Sequence, residues 1–257
     1  MVKIVRAAVL VFALVMAAGP ARGSELFDQL KREYLDKAGV ELVAGTEKFP
    51  FVTEHDRIDG VNANPGDIDL FLYMFRKEFG KYPPELLRLS GLKRIVFCSD
   101  LLHGGGRRSG VAVSDNATVY LNVRSGVFSE RFRRKLMHHE FFHIIDFASF
   151  GLDEDTEWEA LNAPGIAYSP ATATAAGHGP SSDVTHPAAG FLTRYSMADA
   201  REDKAELFSN LMFNDLQARD LVKRDNVLAA KVALLKARLL KFCPQLDDGF
   251  WARAIQF

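Results

Sequence analysis

The stretch "HHEFFHIID", His138 to Asp146, constrains this chain more than any other. It reads as the middle of a long helix running from Ser129 to Phe150. Ser129 can cap that helix, and Phe132, Leu136, His139–Glu140 and His143 recur at helical spacing. Phe141, Phe142, Ile144 and Ile145 are apolar, so the helix is expected to be buried, and a buried histidine pair needs a partner. His139 and His143 are four residues apart, which puts them on one helix face a single turn apart. They can therefore grip one ion, such as zinc, from one rigid element. Glu140 is rotated about 100° from His139, which leaves it beside such an ion, able to take a proton from a water there. His138 has Phe142 four residues on, so it is expected to pack or hydrogen-bond instead. The bland alternative is two surface or core histidines on an aromatic-rich helix.

A catalytic zinc keeps three protein ligands and one open position. A histidine six residues beyond His143 would give the metzincin pattern, but that residue is Ser149, and Asp146 stands where a glycine is needed. His178 and His186 lie in a glycine-rich stretch that offers little rigidity. The better candidates lie in "REDKAE", Arg201 to Glu206, on a helix expected over 199–213. Glu202 and Glu206 are four apart, so one carboxylate can bind a metal while the other hydrogen-bonds a ligand histidine. Ala205, Leu207, Phe208, Leu211 and Met212 imply a buried side, against the alternative of a solvated charged face. Asp146, three residues beyond His143, can orient a ligand histidine or a neighbouring loop, or can be a plain helix-end charge.

The two helices together resemble the catalytic domain of anthrax lethal factor and the wider HExxH family of gluzincin type. In that family a HExxHxxD helix is followed by a tyrosine, a ligand glutamate seven residues later, and an Ala-Glu pair whose Glu lies four beyond the ligand. This chain has His139-Glu140-Phe141-Phe142-His143-Ile144-Ile145-Asp146, then Tyr195, Glu202 and Ala205-Glu206. The resemblance implies zinc held by His139, His143 and Glu202, with Glu206 supporting a ligand histidine and Tyr195 stabilising the oxyanion. The chain also looks like the exported bacterial group described as "putative zinc-binding metallopeptidase". The resemblance covers roughly 94–213, and it departs at Phe142, where the family often has glycine.

Around these motifs the elements alternate. A helix is expected over 25–38, stopping at Gly39, and another over 68–79 after the turn-rich 60–67, with a helical turn at 85–89. Strands are expected at 94–98 and as a hairpin of 110–114 with 118–123, and the glycines at 104–106 read as a flexible turn. Thr118 to Val123 is a candidate sheet edge for an extended peptide, or simply a core strand. The span 158–190 reads as a functional or disordered loop, and 221–242 as one long helix stopped by Pro244. The fold class is α+β: a small, mostly antiparallel sheet packed on the long HExxH helix and further C-terminal helices, zincin-like.

Lys3 and Arg6, the apolar run Ala7 to Ala18 and the small residues up to Gly23 have the form of a signal peptide, 1–23, cut after Gly23 or alternatively after Gly19. The apolar run is too short for a comfortable membrane span, so no stable span is expected once it is cleaved, and 24–257 is expected to be a single domain in the secreted or periplasmic space. Export permits disulfides, so Cys98 and Cys243 either pair or stay as separate buried thiols. With 48% apolar residues and a net charge of -1, the chain can build a core and has no global basic footprint for nucleic acid. The expected activity is zinc-dependent hydrolysis of peptide or protein substrates, with Glu140 as general base. Other readings are a non-catalytic zinc-binding module, or a zinc hydrolase of a non-peptide amide such as a cell-wall crosslink. The oligomeric state is not legible.

Overall fold

The computed structural model describes residues 22–124, 126–150, 154–172 and 183–254, with side chains from Glu25 onward. The expected signal segment lies outside these residues apart from its last two, and the expected cut after Gly23 falls in the first turn of α1 (Arg22–Ala38). Gly39, at φ +70°, ends that helix, as its freedom in the left-handed region predicts. Strands β1 (Glu41–Ala44), β2 (Phe51–Val52) and β3 (Arg57–Asn62) follow, then α2 (Pro65–Phe79) and α3 (Pro84–Leu89). Asn64 caps α2 by accepting from the Asp67 N–H at 2.9 Å.

The sheet is built around β4 (Arg94–His103), with β5 (Gly106–Arg107), β6 (Gly110–Val113) and β7 (Thr118–Asn122). The strand order is β2-β3-β4-β7-β6. β4 pairs in parallel with β1 and β7, and the remaining pairings are antiparallel. Alternation along β4 splits the core between two faces. Ile95 and Phe97 join the large cluster under the helices, and Val96 and Cys98 join a smaller one with Ile58, Val111 and Tyr120. All five residues of β7 are buried. β7 is thus an internal strand, which decides between the two readings of 118–123 in favour of the core strand: the edge on that side is β6. A strand buried on both faces cannot be an edge open to solvent.

The long helix is α4 (Glu130–Ser149), with the Ser129 hydroxyl accepting from the Phe132 N–H at 3.2 Å. A short α5 (Thr156–Glu159) buries Trp158 completely. The expected loop over 158–190 is therefore packed at its beginning, and its 173–182 segment lies outside the described residues. Next come α6 (Ala200–Phe213), α7 (Leu216–Arg224), α8 (Asn226–Phe242) and α9 (Asp248–Ala254). The single helix expected over 221–242 is broken: Asp225 ends α7 and caps α8, accepting from the Val227 and Leu228 N–H groups. The expected turn-rich stretch 60–67 shortens, because β3 takes 60–62, and the strand expected over 94–98 extends to His103. Cys98 and Cys243 are free buried thiols in different core clusters, which settles the pairing alternative against a disulfide. Among the described residues no helix is long and apolar enough to cross a membrane.

Candidate metal centre

α4 and α6 pack side by side, and their facing surfaces carry the charged residues of both motifs. Asp199 caps α6, accepting from the Glu202 N–H at 2.8 Å, which fixes the first turn bearing Glu202. From α4, His139 Nε2 lies 3.0 Å from Glu202 Oε2 and 3.1 Å from His143 Nε2. The third edge, His143 Nε2 to Glu202 Oε2, is 3.5 Å. Tetrahedral ligands about 2.0–2.1 Å from a zinc ion are separated by roughly 3.3 Å, so this triangle has the size the ion requires. Glu202 Oε2 is buried between the two Nε2 atoms. Three such atoms converging on one point repel one another unless a proton or a cation lies between them. His139, His143 and Glu202 can therefore hold a metal ion. His186 bonds Asp225 instead, at 2.9 Å, and His178 lies outside the described residues.

The electrostatics also favour positive charge. Burial lowers the pKa of His139, but hydrogen bonds and charge from Glu202 and Glu206 outweigh it and drive the value well above the ordinary imidazole range. Glu202 would be raised by burial, yet the charge of His143 and hydrogen bonds to both histidines hold it well below the carboxylate range. A site that keeps a buried carboxylate ionised and draws a proton onto a buried imidazole is one that accepts a cation.

Around the triangle, Glu206 Oε1 faces His139 Nδ1 at 3.2 Å, and the Thr193 hydroxyl donates to Glu206 Oε2 at 2.8 Å. A proton on Nδ1, directed at Glu206, leaves Nε2 with its lone pair toward the triangle. The Tyr195 hydroxyl donates to Glu202 Oε1 at 3.1 Å, and burial first, then the nearby carboxylates, raises its pKa and keeps the phenol protonated. Glu140 lies on the same side of α4 against the Ala112 backbone, its pKa raised mainly by burial. A Cβ on Gly110 would come within 2.6 Å of Glu140 Cγ, so β6 can approach the glutamate this closely only with glycine there.

No family model matches this chain, and no curated protein sequence matches it. A crystal structure described as "a putative zinc-binding metallo-peptidase from Bacteroides caccae" matches it with a TM-score of 0.58, at 17% identity, over 93% of each chain. The chain has a metallopeptidase-like fold. At this identity the likeness is one of fold, and the residues above belong to this chain's own geometry.

Within that metallopeptidase-like fold, His139, His143, Glu202, Tyr195 and Glu140 come together around one cleft of about 220 Å³, with Glu206 buried behind His139. His138 stays outside it: Tyr82 and Glu78 take its two ring nitrogens, and burial holds its pKa below the usual range. Asp146 orients no ligand histidine. It is buried and pairs with Lys204 at 2.7 Å, tying α4 to α6 directly beneath the triangle. Of the "REDKAE" residues, Asp203, Lys204 and Glu206 are each at most 2% exposed, which rules out the solvated-face reading. Sequence reasoning missed Thr193 and Gly110. Thr193 lies two residues before Tyr195 without any spacing signal, and Gly110 looks like an ordinary glycine opening a hairpin strand.

Proposed function

We propose that this protein is an exported zinc-dependent peptidase of gluzincin type, with 24–257 as its single catalytic domain and peptides or proteins as substrates. The observation that carries the reading is the triangle of His139 Nε2, His143 Nε2 and Glu202 Oε2, with its buried carboxylate oxygen beside an open cleft. When bound, zinc supplies Lewis acidity to the attacking water and to the scissile carbonyl. Glu140 takes the proton of that water and passes it to the leaving amine. Its raised pKa suits both directions of transfer. Tyr195, kept protonated, donates a hydrogen bond to the developing oxyanion. Thr193 holds Glu206, and Glu206 holds the tautomer of His139. Support for the peptidase reading, and for the likeness to lethal factor, comes from the tyrosine and glutamate spacing together with this geometry. Support for export is the form of residues 1–23.

A protein with a structural zinc would close the fourth position with a protein ligand. The cleft beside the triangle is lined instead by β6 and by Tyr195, which favours a catalytic site. The test is hydrolysis of a mixed peptide pool by the purified mature protein. Cleavage lost with chelator and restored by stoichiometric zinc is the expected result. Zinc bound with no cleavage of any peptide or amide substrate would leave only the non-catalytic zinc module.

A further inference from the structure

Among the described residues, two guanidiniums line the cleft without a carboxylate at ion-pair distance. Arg108, on the strand side just before β6, and Arg201, on the first turn of α6, both line it. Arg108 is half-buried, and its Nη1 donates to the Arg107 carbonyl at 3.1 Å. Neither guanidinium has a carboxylate at ion-pair distance among the described residues; Arg201 is exposed and feels the charge of Asp146 at longer range. Arg94, Arg134 and Arg238 by contrast are matched by Glu47, Glu78 and Asp155. Three carboxylates also line the cleft, none at ion-pair distance from either guanidinium. Glu202 faces the histidines, Glu140 lies against β6, and Asp199 caps α6. Beyond Arg108 the surface stays basic, with Arg107 and Arg124 sharing the single carboxylate of Asp100 at 4.0 and 2.7 Å. The whole chain is balanced, with 32 Lys and Arg against 33 Asp and Glu, so two unpaired guanidiniums beside one cleft are a local arrangement and not a property of the composition.

We propose that the substrate is an acidic peptide segment, with carboxylate side chains flanking the scissile bond, and that Arg108 and Arg201 select it. The inference rests on the reading of this cleft as a peptidase site and names its substrate class. Planar guanidiniums suit the role, because each can give a carboxylate two parallel hydrogen bonds. Low-dielectric walls strengthen the attraction and steer acidic chains toward the cleft.

The test uses one core peptide in three versions, carrying Glu, Gln or Lys on both sides of the cleaved bond. Binding is read by fluorescence anisotropy on the zinc-loaded Glu140→Gln protein, and cleavage is read on the wild type. The expected binding order is Glu over Gln over Lys, with about a three- to tenfold gap per matched arginine at low salt that shrinks at high salt. Arg108→Gln and Arg201→Gln should each narrow the gap between the Glu and Gln peptides, and Arg108→Glu should shift the preference toward the Lys peptide. Equal binding of the Glu and Gln peptides, including no binding by either, overturns the proposal. So does a gap that survives both arginine substitutions. An acidic preference in binding without wild-type cleavage sinks the peptidase reading and leaves the assignment of Arg108 and Arg201 standing. Cleavage without preference does the reverse.

Discussion

Glu202 and Glu206 sit one helical turn apart and face the same histidine, yet their contacts differ. Glu202 Oε2 contacts the Nε2 atoms of both histidines, whereas Glu206 meets only Nδ1 of His139, on the far side of the ring. Glu202→Ala should therefore remove most bound zinc, while Glu206→Ala weakens binding by about 10–100-fold, as expected for a group that supports a ligand. Zinc-to-protein ratios after dialysis against a graded metal buffer give the ranking, and the opposite order would exchange the two roles. Glu140→Gln should keep the metal and lower kcat by about two to four orders; zinc retention with unchanged hydrolysis would remove Glu140 as the base. Gly110→Ala presses a methyl group onto the same side chain, at 2.6 Å from Cγ. The glutamate side chain yields more easily than the strand, so fold and zinc should survive while kcat falls by about a hundredfold through misplacement of the base. Full activity in this variant would show that Glu140 works from another position. At this scale the sequence was legible where spacing carries chemistry: His139 with His143, and Glu202 with Glu206, could be found as pairs by counting, while the choice of Glu202 and the role of Tyr195 came from the resemblance to the gluzincin family. Thr193 and Gly110 could not, because their roles come from contacts across the chain.

Among the elements, the contact between α4 and α6 is what turns two motifs into one site. Lys204 of α6 is 1% exposed and is held by Asp146 of α4 at 2.7 Å and by Asp155 at 3.1 Å. Removing one partner leaves a buried ammonium partly compensated, so Asp146→Ala should cost about 2–3 kcal/mol, below the full loss of a buried pair because Asp155 remains. Urea denaturation of the two proteins measures it. An unchanged midpoint would show that Lys204 does not need Asp146. The helices themselves were readable in outline because each has a side chain at its start that satisfies the first-turn N–H groups, Ser129 for α4 and Asp199 for α6. The same chemistry misled the reading at Asp225: apolar periodicity runs through it, but its carboxylate caps α8 and splits the expected single helix. Whether β7 was an edge or a core strand stayed open in the sequence because alternation within a hairpin does not say which strand has another neighbour. That depends on its parallel pairing with β4, whose register is fixed far away in sequence.

Across the whole molecule, buried carboxylates set the acid limit of stability. Burial would raise Glu78 and Asp155, but hydrogen bonds from His138 and Lys81 to the first, and from Arg238 and Lys204 to the second, hold each at about 2. In the unfolded chain both titrate near 4. The stabilisation they give is therefore present above about pH 4 and is lost as the pH falls through about 2, on the order of 2 kcal/mol for each. Asp155→Asn should be less stable than wild type at pH 7, with the gap narrowing toward pH 2. Denaturation midpoints across that range test this, and a gap independent of pH would mean that Asp155 acts through packing rather than charge. The α+β class was visible in the order of strands and helices, whereas the covering of both sheet faces was not, because it needs Val43, Cys98 and Tyr120 brought together from three strands.

The central claim is that one ion is gripped by two imidazoles of α4 and a carboxylate of α6. Diffraction from crystals of the mature protein, recorded on both sides of the zinc absorption edge, tests it most directly. The account predicts one strong anomalous peak within bonding distance of His139 Nε2, His143 Nε2 and Glu202 Oε2. A peak that these three atoms do not surround, or no peak from fully zinc-loaded protein, would contradict it.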